Sequence, residues 1–185
     1  MVGFWGTLVL ARSATPLAEL LADVAERVEP AGEYADGWQV VRFGRALEVP
    51  LLGDEVGERT GFPVIAGGVA DSDYVDLRVI GETRWKTTLC RQSGYSYVAH
   101  YLQQANGLRG AELEAETEAM LGRSAGEAAA LLVRWAAATG RVVPLDPLVE
   151  TLEADADPFA EDRFYELVDR LALNRPATDS AGCSG

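Results

Sequence analysis

Residues 62–90 carry the sequence FPVIAGGVADSDYVDLRVIGETRWKTTLC, in which apolar and polar side chains alternate. Val75, Leu77 and Val79 alternate with polar residues in the middle of this stretch, and residues 84–90 repeat the pattern. A period of two places one set of side chains on the buried face of a strand and the other set on a wetter face. The stretch therefore predicts three consecutive antiparallel strands.

The parity of the alternation predicts how these strands pair. Inward-facing positions must lie opposite one another, because a shift of one residue exchanges the two faces of a strand. Three-residue turns at 71–73 and 81–83 satisfy this rule. They place Ile65 and Trp85 on either side of Val79.

The wetter face of the three strands is predicted to form a shallow trough. Its floor consists of the small residues Ala66, Gly68 and Ala70. Four side chains at its edge are candidates for binding an anionic small molecule, and these are Tyr74, Arg78, Arg84 and Lys86. The alternative is that a C-terminal helix fills the trough, because small residues in a strand often mark the close approach of another backbone.

The first half of the chain is expected to add two strands and two helices to these three. Residues 4–12 and 37–43 are predicted strands, and residues 50–61 a helix. Residues 16–29 are expected to form an amphipathic helix, because their apolar side chains recur at helical spacing and Pro30 ends the pattern. This composition indicates an α+β fold with a mostly antiparallel sheet of about five strands, for which a ferredoxin-like arrangement is one option.

Beyond residue 91 the apolar period changes to 3.6, which predicts a helical second half. Residues 124–127 (SAGE) form a capping box at the start of one of its helices. We expect residues 1–92 to form the sheet-bearing part, residues 93–174 to pack on it within one compact domain, and residues 175–185 to be a flexible tail.

Several aromatic side chains fall on apolar stripes and are expected in the core. The set comprises Trp5, Trp38, Trp85 and Trp135 and, on one predicted helix, Tyr97 and Tyr101.

The composition restricts the class of partner. The formal net charge of −13 repels nucleic acid phosphates and anionic membrane surfaces, so neither is an expected partner. A basic protein is the expected match, homo-oligomerisation stays open, and no cofactor is expected. A single lysine among many arginines, with abundant Ala and Gly, is typical of GC-rich genomes such as those of actinobacteria.

Few residues suggest catalytic or metal chemistry. His100 is the only histidine and is predicted to be exposed, although a dyad with Cys90 is conceivable. Asp71 and Asp73 are weak candidates for holding a hard cation, and ordinary turn formation is the favoured explanation for them. Two cysteines without metal-binding spacing fit a reducing cytoplasm.

Two functional hypotheses follow. The first is a non-catalytic acidic binding protein, such as an immunity, antitoxin-like or accessory factor, for a basic protein partner. The alternative is a small-ligand-binding protein or an enzyme that uses the trough on the outer face of residues 64–90. A DNA mimic is a third hypothesis, which requires carboxylates arrayed at phosphate spacing. Enzymatic activity is undecided, and the lack of a recognisable catalytic motif favours binding.

Overall fold

The computed structural model describes residues 4–25, 27–45, 47–156, 159–171 and 173. Six strands form one sheet, and their bounds are β1 Gly6–Arg12, β2 Val28–Glu33, β3 Trp38–Phe43, β4 Val64–Ala70, β5 Tyr74–Ile80 and β6 Arg84–Leu89. Their order in the sheet is β2-β3-β1-β4-β5-β6, and every neighbouring pair is antiparallel.

Seven helices surround this sheet in the described part of the chain. They are α1 Leu17–Leu20, α2 Val49–Thr60, α3 Arg91–Asn106, α4 Gly110–Leu121, α5 Ala125–Ala138, α6 Leu145–Glu153 and α7 Ala160–Arg170. The α+β class, the antiparallel sheet and the helical second half are thus confirmed. None of the described helices has the length and apolarity needed to cross a bilayer. The predicted tail at 175–185 lies outside the described residues.

The register of β4, β5 and β6 is the one that parity predicts. Val79 lies opposite Ile65 on one side and Trp85 on the other. Three-residue turns at 71–73 and 81–83 join the strands. The inward-facing side chains of β5 are buried, whereas its outward-facing side chains are partly exposed.

The strand β1 is central, as its apolar character on both faces indicates. It pairs antiparallel with both β3 and β4, and all its residues except Arg12 are buried. The first four strands and two helices follow the order β1-α1-β2-β3-α2-β4, and β1 and β2 run parallel to each other on either side of β3. With the sheet order β2-β3-β1-β4, this is the β-α-β-β-α-β connectivity of the ferredoxin-like option, and β5 and β6 extend the sheet beyond β4.

The predicted helix at residues 16–29 is wrong over most of its length. The helix α1 covers only Leu17–Leu20, and a turn follows it. Residues 28–33 pair with β3 as an edge strand that carries a bulge between Pro30 and Gly32. Proline is tolerated in an edge strand, and ladder pairing outweighs the local helical periodicity here.

Helices cover both faces of the sheet. Helices α5, α6 and α7 pack on the inner face, where Leu77 and Phe164 belong to the larger core cluster. Gly67 permits this close packing, because a Cβ at that position would lie 2.6 Å from Val75 Cγ1 and 3.1 Å from Phe164 Cδ2. Helices α1 and α2 cover the outer face of β1, β3 and β4, where Val9 and Val56 lie in a second cluster.

Candidate functional site

The predicted trough on the outer face is covered at two places. At its floor, α2 approaches so closely that a Cβ on Gly68 would lie 3.0 Å from Val49 Cγ2. At one end, the ring of Tyr74 packs on Tyr97 of α3, with centroids 5.3 Å apart. The helices that cover the trough are therefore α2 and α3. Helices α5, α6 and α7 pack on the opposite face of the sheet, so they do not fill the trough. The middle of the trough remains partly exposed.

Carboxylates neutralise the two candidate arginines of the trough. The Nη2 of Arg78 donates a hydrogen bond to Asp76 Oδ2 at 2.8 Å. The Nη2 of Arg84 lies 3.2 Å from Asp54 Oδ1 on α2. These pairs reduce the attraction of the trough for an anion, so its remaining cationic character depends on Lys86.

Lys86 lies directly opposite Arg78 in the ladder between β5 and β6. Burial lowers the pKa of its ammonium, and the charge of Arg78 lowers it further, whereas Asp76 acts in the opposite direction. Lys86 lines a groove with Arg84 and Arg123, which also contains Glu118 and Glu127. Among the four trough candidates, the structure thus brings Arg84 and Lys86 together in this groove. Tyr74 is packed at the α3 end.

The turn at residues 71–73 has a structural role. Ser72 is buried and has a positive φ of 58°, while Asp71 and Asp73 are exposed on either side of it. The Oγ of Ser72 accepts a hydrogen bond from the backbone N–H of Phe4 and donates one to Glu161 on α7. Within the described ranges, no three His, Cys, Asp or Glu side chains are grouped so that they could share a metal ion.

The conceivable Cys90–His100 dyad is not assembled. Cys90 is fully buried in the larger core cluster at the start of α3, and burial raises the pKa of its thiol to about 12. His100 is exposed on α3, as its position on the helical wheel predicts. A buried neutral thiol is a poor nucleophile, so Cys90 acts as a core residue.

An aromatic surface that the sequence patterns did not predict lies at the start of the sheet. It consists of Trp5, Tyr97 and Tyr101, which are 45%, 38% and 54% exposed. The rings of Trp5 and Tyr97 are 6.2 Å apart, and Tyr97 rests on Tyr74. The core prediction is wrong for all three residues, whereas Trp38 and Trp135 are buried and Trp85 is half-buried.

The exposure of these tyrosines follows from the way α3 docks on the sheet. The buried face of α3 is formed by Gly94, Val98 and Leu102. A Cβ on Gly94 would lie 2.8 Å from Thr88 Cγ2, so the helix is seated on this side. Tyr97 and Tyr101 lie one position before Val98 and Leu102, about 100° around a helix of 3.6 residues per turn, and therefore lie beside the buried face. The glycine at position 94 was the signal that could have located the docking face.

A groove of about 510 Å³ borders the aromatic surface, and we call it the acidic groove. Its lining consists of Asp73, Gln92, Ser93, Ser96, Tyr97, His100 and Asp155. It contains two carboxylates, and no lysine or arginine is among the described residues that line it. The groove is thus a place where an exposed aromatic ring and negative charge meet.

The exposed charge elsewhere is also mainly negative. Ion pairs between described residues engage Arg27, Arg42, Arg59, Arg78, Arg84, Arg91, Arg141, Arg163 and Arg170. On α4, Glu112, Glu114 and Glu116 are exposed, and none of the ion pairs within the described ranges includes them. Glu112 and Glu116 lie about 40° apart around the helix axis, whereas Glu114 lies on the other side, about 160° from each. We call these three exposed carboxylates the acidic surface of α4.

Comparison with known proteins yields no match to a family model, to a curated protein or to a solved structure. Function is therefore inferred from the chemistry of these surfaces alone.

Proposed function

We propose that this chain is a non-catalytic binding protein, such as an immunity, antitoxin-like or accessory factor, whose partner is a basic protein. The observation that supports this function is the acidic surface of α4. The chain carries a net charge of −13, and many of its arginines are already engaged in internal ion pairs. A surface of one sign attracts a partner of the opposite sign and accelerates its association, and salt weakens this effect.

The spacing on α4 gives further support. Glu112 and Glu116 are four residues apart, so they are neighbours on the helix and repel each other. Such a like-charge pair costs about 0.2–0.5 kcal/mol in an isolated helix. A cationic partner surface would relieve this repulsion on binding.

The same charge argues against nucleic acid and anionic membranes as partners. A DNA mimic would need an ordered array of carboxylates, whereas only Glu112 and Glu116 of the acidic surface share one side of α4. A cytoplasmic location stays a prediction that rests on the sparse use of cysteine.

The test is affinity capture from an extract of the source organism, with the wild-type chain and E112Q/E114Q/E116Q as baits. Capture at about 50 mM and about 300 mM salt separates electrostatic from apolar binding. We expect a basic protein that the wild type retains at low salt and that the variant and high salt release. Calorimetry with the purified partner then gives the affinity.

A matched control is E19Q/E48Q/E58Q, which removes the same charge from three exposed carboxylates on or beside α1 and α2. We expect this control to retain the partner. Capture of no basic protein by the wild type would refute the proposal, and equal losses in both variants would show that α4 has no special role.

A small-ligand site in the trough is the second candidate function, and Lys86 is the observation that favours it. Its ammonium faces Arg78, its pKa is lowered by burial, and its groove also contains Arg84 and Arg123. An anion there would separate the like charges. Thermal-shift measurements with phosphate and citrate should then show stabilisation that K86Q loses, and the absence of any shift in the wild type would exclude this candidate.

A further inference from the structure

We propose that the aromatic surface and the acidic groove together receive an arginine-bearing segment of the partner, with one guanidinium lying over Tyr97 and between Asp73 and Asp155. This inference deepens the proposed function and rests on it. It adds a contact on the exposed face of α3 to the α4 carboxylates on which the proposed function rests.

The exposure of the aromatic rings is the first argument. Trp5 and Tyr101 flank Tyr97, and large aromatic side chains are the residues most enriched at the centres of protein interfaces. The rings are also held in place, because Tyr97 contacts both Trp5 and Tyr74. A partner would therefore find a contact surface that loses little side-chain freedom on binding.

The negative charge of the acidic groove favours a partner segment that carries a positive charge. Asp73 and Asp155 are both exposed, and no ion pair among the described residues involves either carboxylate. The two carboxylates lie near each other, since both line the same groove. The first turn of α3 contributes about half a positive charge, which two carboxylates outweigh.

The position of Asp155 is fixed by a neighbouring helix. The Nε of Arg163 donates a hydrogen bond to the backbone oxygen of Asp155 at 3.0 Å, and its Nη1 pairs with Glu166 at 2.7 Å. Arg163 thus fixes the position of the backbone at residue 155, and the carboxylate of Glu166 on α7 neutralises its charge. The carboxylate of Asp155 is left to face the groove lining.

The combination of ring and carboxylates selects arginine over lysine. A guanidinium is planar, so it can stack on the face of Tyr97 and at the same time donate paired hydrogen bonds to a carboxylate. Lysine carries a compact charge without that planar shape. The amide of Gln92 and the hydroxyl of Ser93 supply neutral polar groups in the same groove.

The test uses two fluorescein-labelled peptides of equal charge, one with alternating glycine and arginine and one with alternating glycine and lysine. Fluorescence anisotropy at low salt gives their affinities for the wild type. We expect a two- to fivefold preference for the arginine peptide, which is about the effect of one exposed cation–π contact. We expect Y97L to lose this preference and Y97F, which keeps the ring, to retain it.

The carboxylates are tested separately with D73N/D155N. We expect about a tenfold loss of affinity for the arginine peptide, since charge-assisted hydrogen bonds to a guanidinium are lost. The control E19Q/E58Q removes the same charge from exposed positions on α1 and α2 and should lose less than about twofold, because screened charges at a distance contribute little. Circular dichroism and the Tm of each variant establish that it is folded.

Equal affinity of both peptides for the wild type, or equal losses in D73N/D155N and E19Q/E58Q, would overturn the inference. The same D73N/D155N variant used as bait separates this outcome from a failure of the proposed function. A captured basic protein that is unaffected by D73N/D155N would refute the arginine subsite alone. An arginine preference without any captured basic protein would refute the proposed function alone.

Discussion

The backbone N–H of Phe4 donates a hydrogen bond to Oγ of Ser72 at 2.8 Å, and the N–H of Ser72 donates one to the carbonyl of Phe4 at 3.1 Å. The Ser72 hydroxyl also donates to Glu161 Oε1 at 3.0 Å. One buried side chain thus joins the residues before β1, the turn between β4 and β5, and the start of α7. Trp5 follows Phe4 directly, so this connection also supports the aromatic surface.

Replacement of Ser72 by alanine should therefore destabilise the protein. We expect S72A to lower the free energy of unfolding by about 1–3 kcal/mol, because it leaves the Phe4 amide and the Glu161 carboxylate without their partner. Urea denaturation measures the change. S14A at an exposed serine is the control, with an expected effect within about 0.5 kcal/mol, and an equally small effect of S72A would contradict the role of this hydroxyl.

The close packing at Gly67 gives a second prediction. A methyl group there would collide with Val75 and with the ring of Phe164 on α7, so G67A should cost about 1–3 kcal/mol of stability. Gly126 on α5 is a matched control, because a Cβ there meets nothing within 4 Å. G126A should instead stabilise the helix by about 0.5–1 kcal/mol. Thermal unfolding compares the two, and a neutral G67A would show that α7 is loosely packed on β4.

The thiol of Cys90 should be inert in the native protein. In a C183S background, Cys90 is the only cysteine, and an aromatic disulfide reagent at pH 8 should modify it about 100-fold more slowly in buffer than in concentrated urea. Rapid modification of the native protein would show that the start of α3 opens readily.

The same thiol predicts a loss of stability at high pH. Its pKa is raised from 9.0 to about 12 in the folded protein, so the unfolded chain releases the proton first. This contribution is therefore complete below about pH 9 and is lost as the pH rises towards about 12. Urea midpoints across this range should decline less steeply in C90A than in the wild type. Parallel curves for the two proteins would contradict the assignment.

Lys86 should oppose folding slightly. K86Q removes the like-charge contact with Arg78 and the cost of half-burying an ammonium, and we expect a gain of about 0.2–1 kcal/mol. Because the folded pKa of Lys86 is lowered, its penalty should diminish as the pH rises through that value towards the unfolded pKa. R84Q, which breaks the exposed pair with Asp54, serves as the comparison and should change little. A loss above about 1 kcal/mol in K86Q would mean that the ammonium has a stabilising partner.

The sequence predicted the sheet where its side-chain period was unambiguous. Alternation through Val75, Leu77 and Val79 determined the register, since each alternative would have buried Arg78 or exposed Val79. The helix at residues 16–29 failed because spacing alone cannot distinguish a helical stripe from a short turn followed by an edge strand. The pairing of Val28 with Phe43, fifteen positions away, decides this question.

The candidate site was harder to predict because its chemistry depends on contacts between distant segments. Asp54 lies on α2 and Arg84 lies on β6, and no local sequence pattern indicates that the two side chains form an ion pair. Trp5 and Tyr97 were assigned to the core because aromatic residues are usually buried when they lie on apolar stripes. The side chains of the acidic groove come from the turn at 71–73, from α3 and from residue 155, which only the folded chain brings together.

The bulge between Pro30 and Gly32 has a consequence for how the molecule meets other chains. At the β2 edge of the sheet, the bulge and Pro30 interrupt the row of backbone N–H and C=O groups with which another strand would have to pair. The charged side chains of Glu29 and Glu33 disfavour such pairing further. At the opposite margin, Arg123 donates its N–H to the carbonyl of Lys86 and occupies part of the outer ladder of β6. Both margins are therefore poor templates for strand addition, which favours contact through side chains and disfavours growth into sheet-based aggregates.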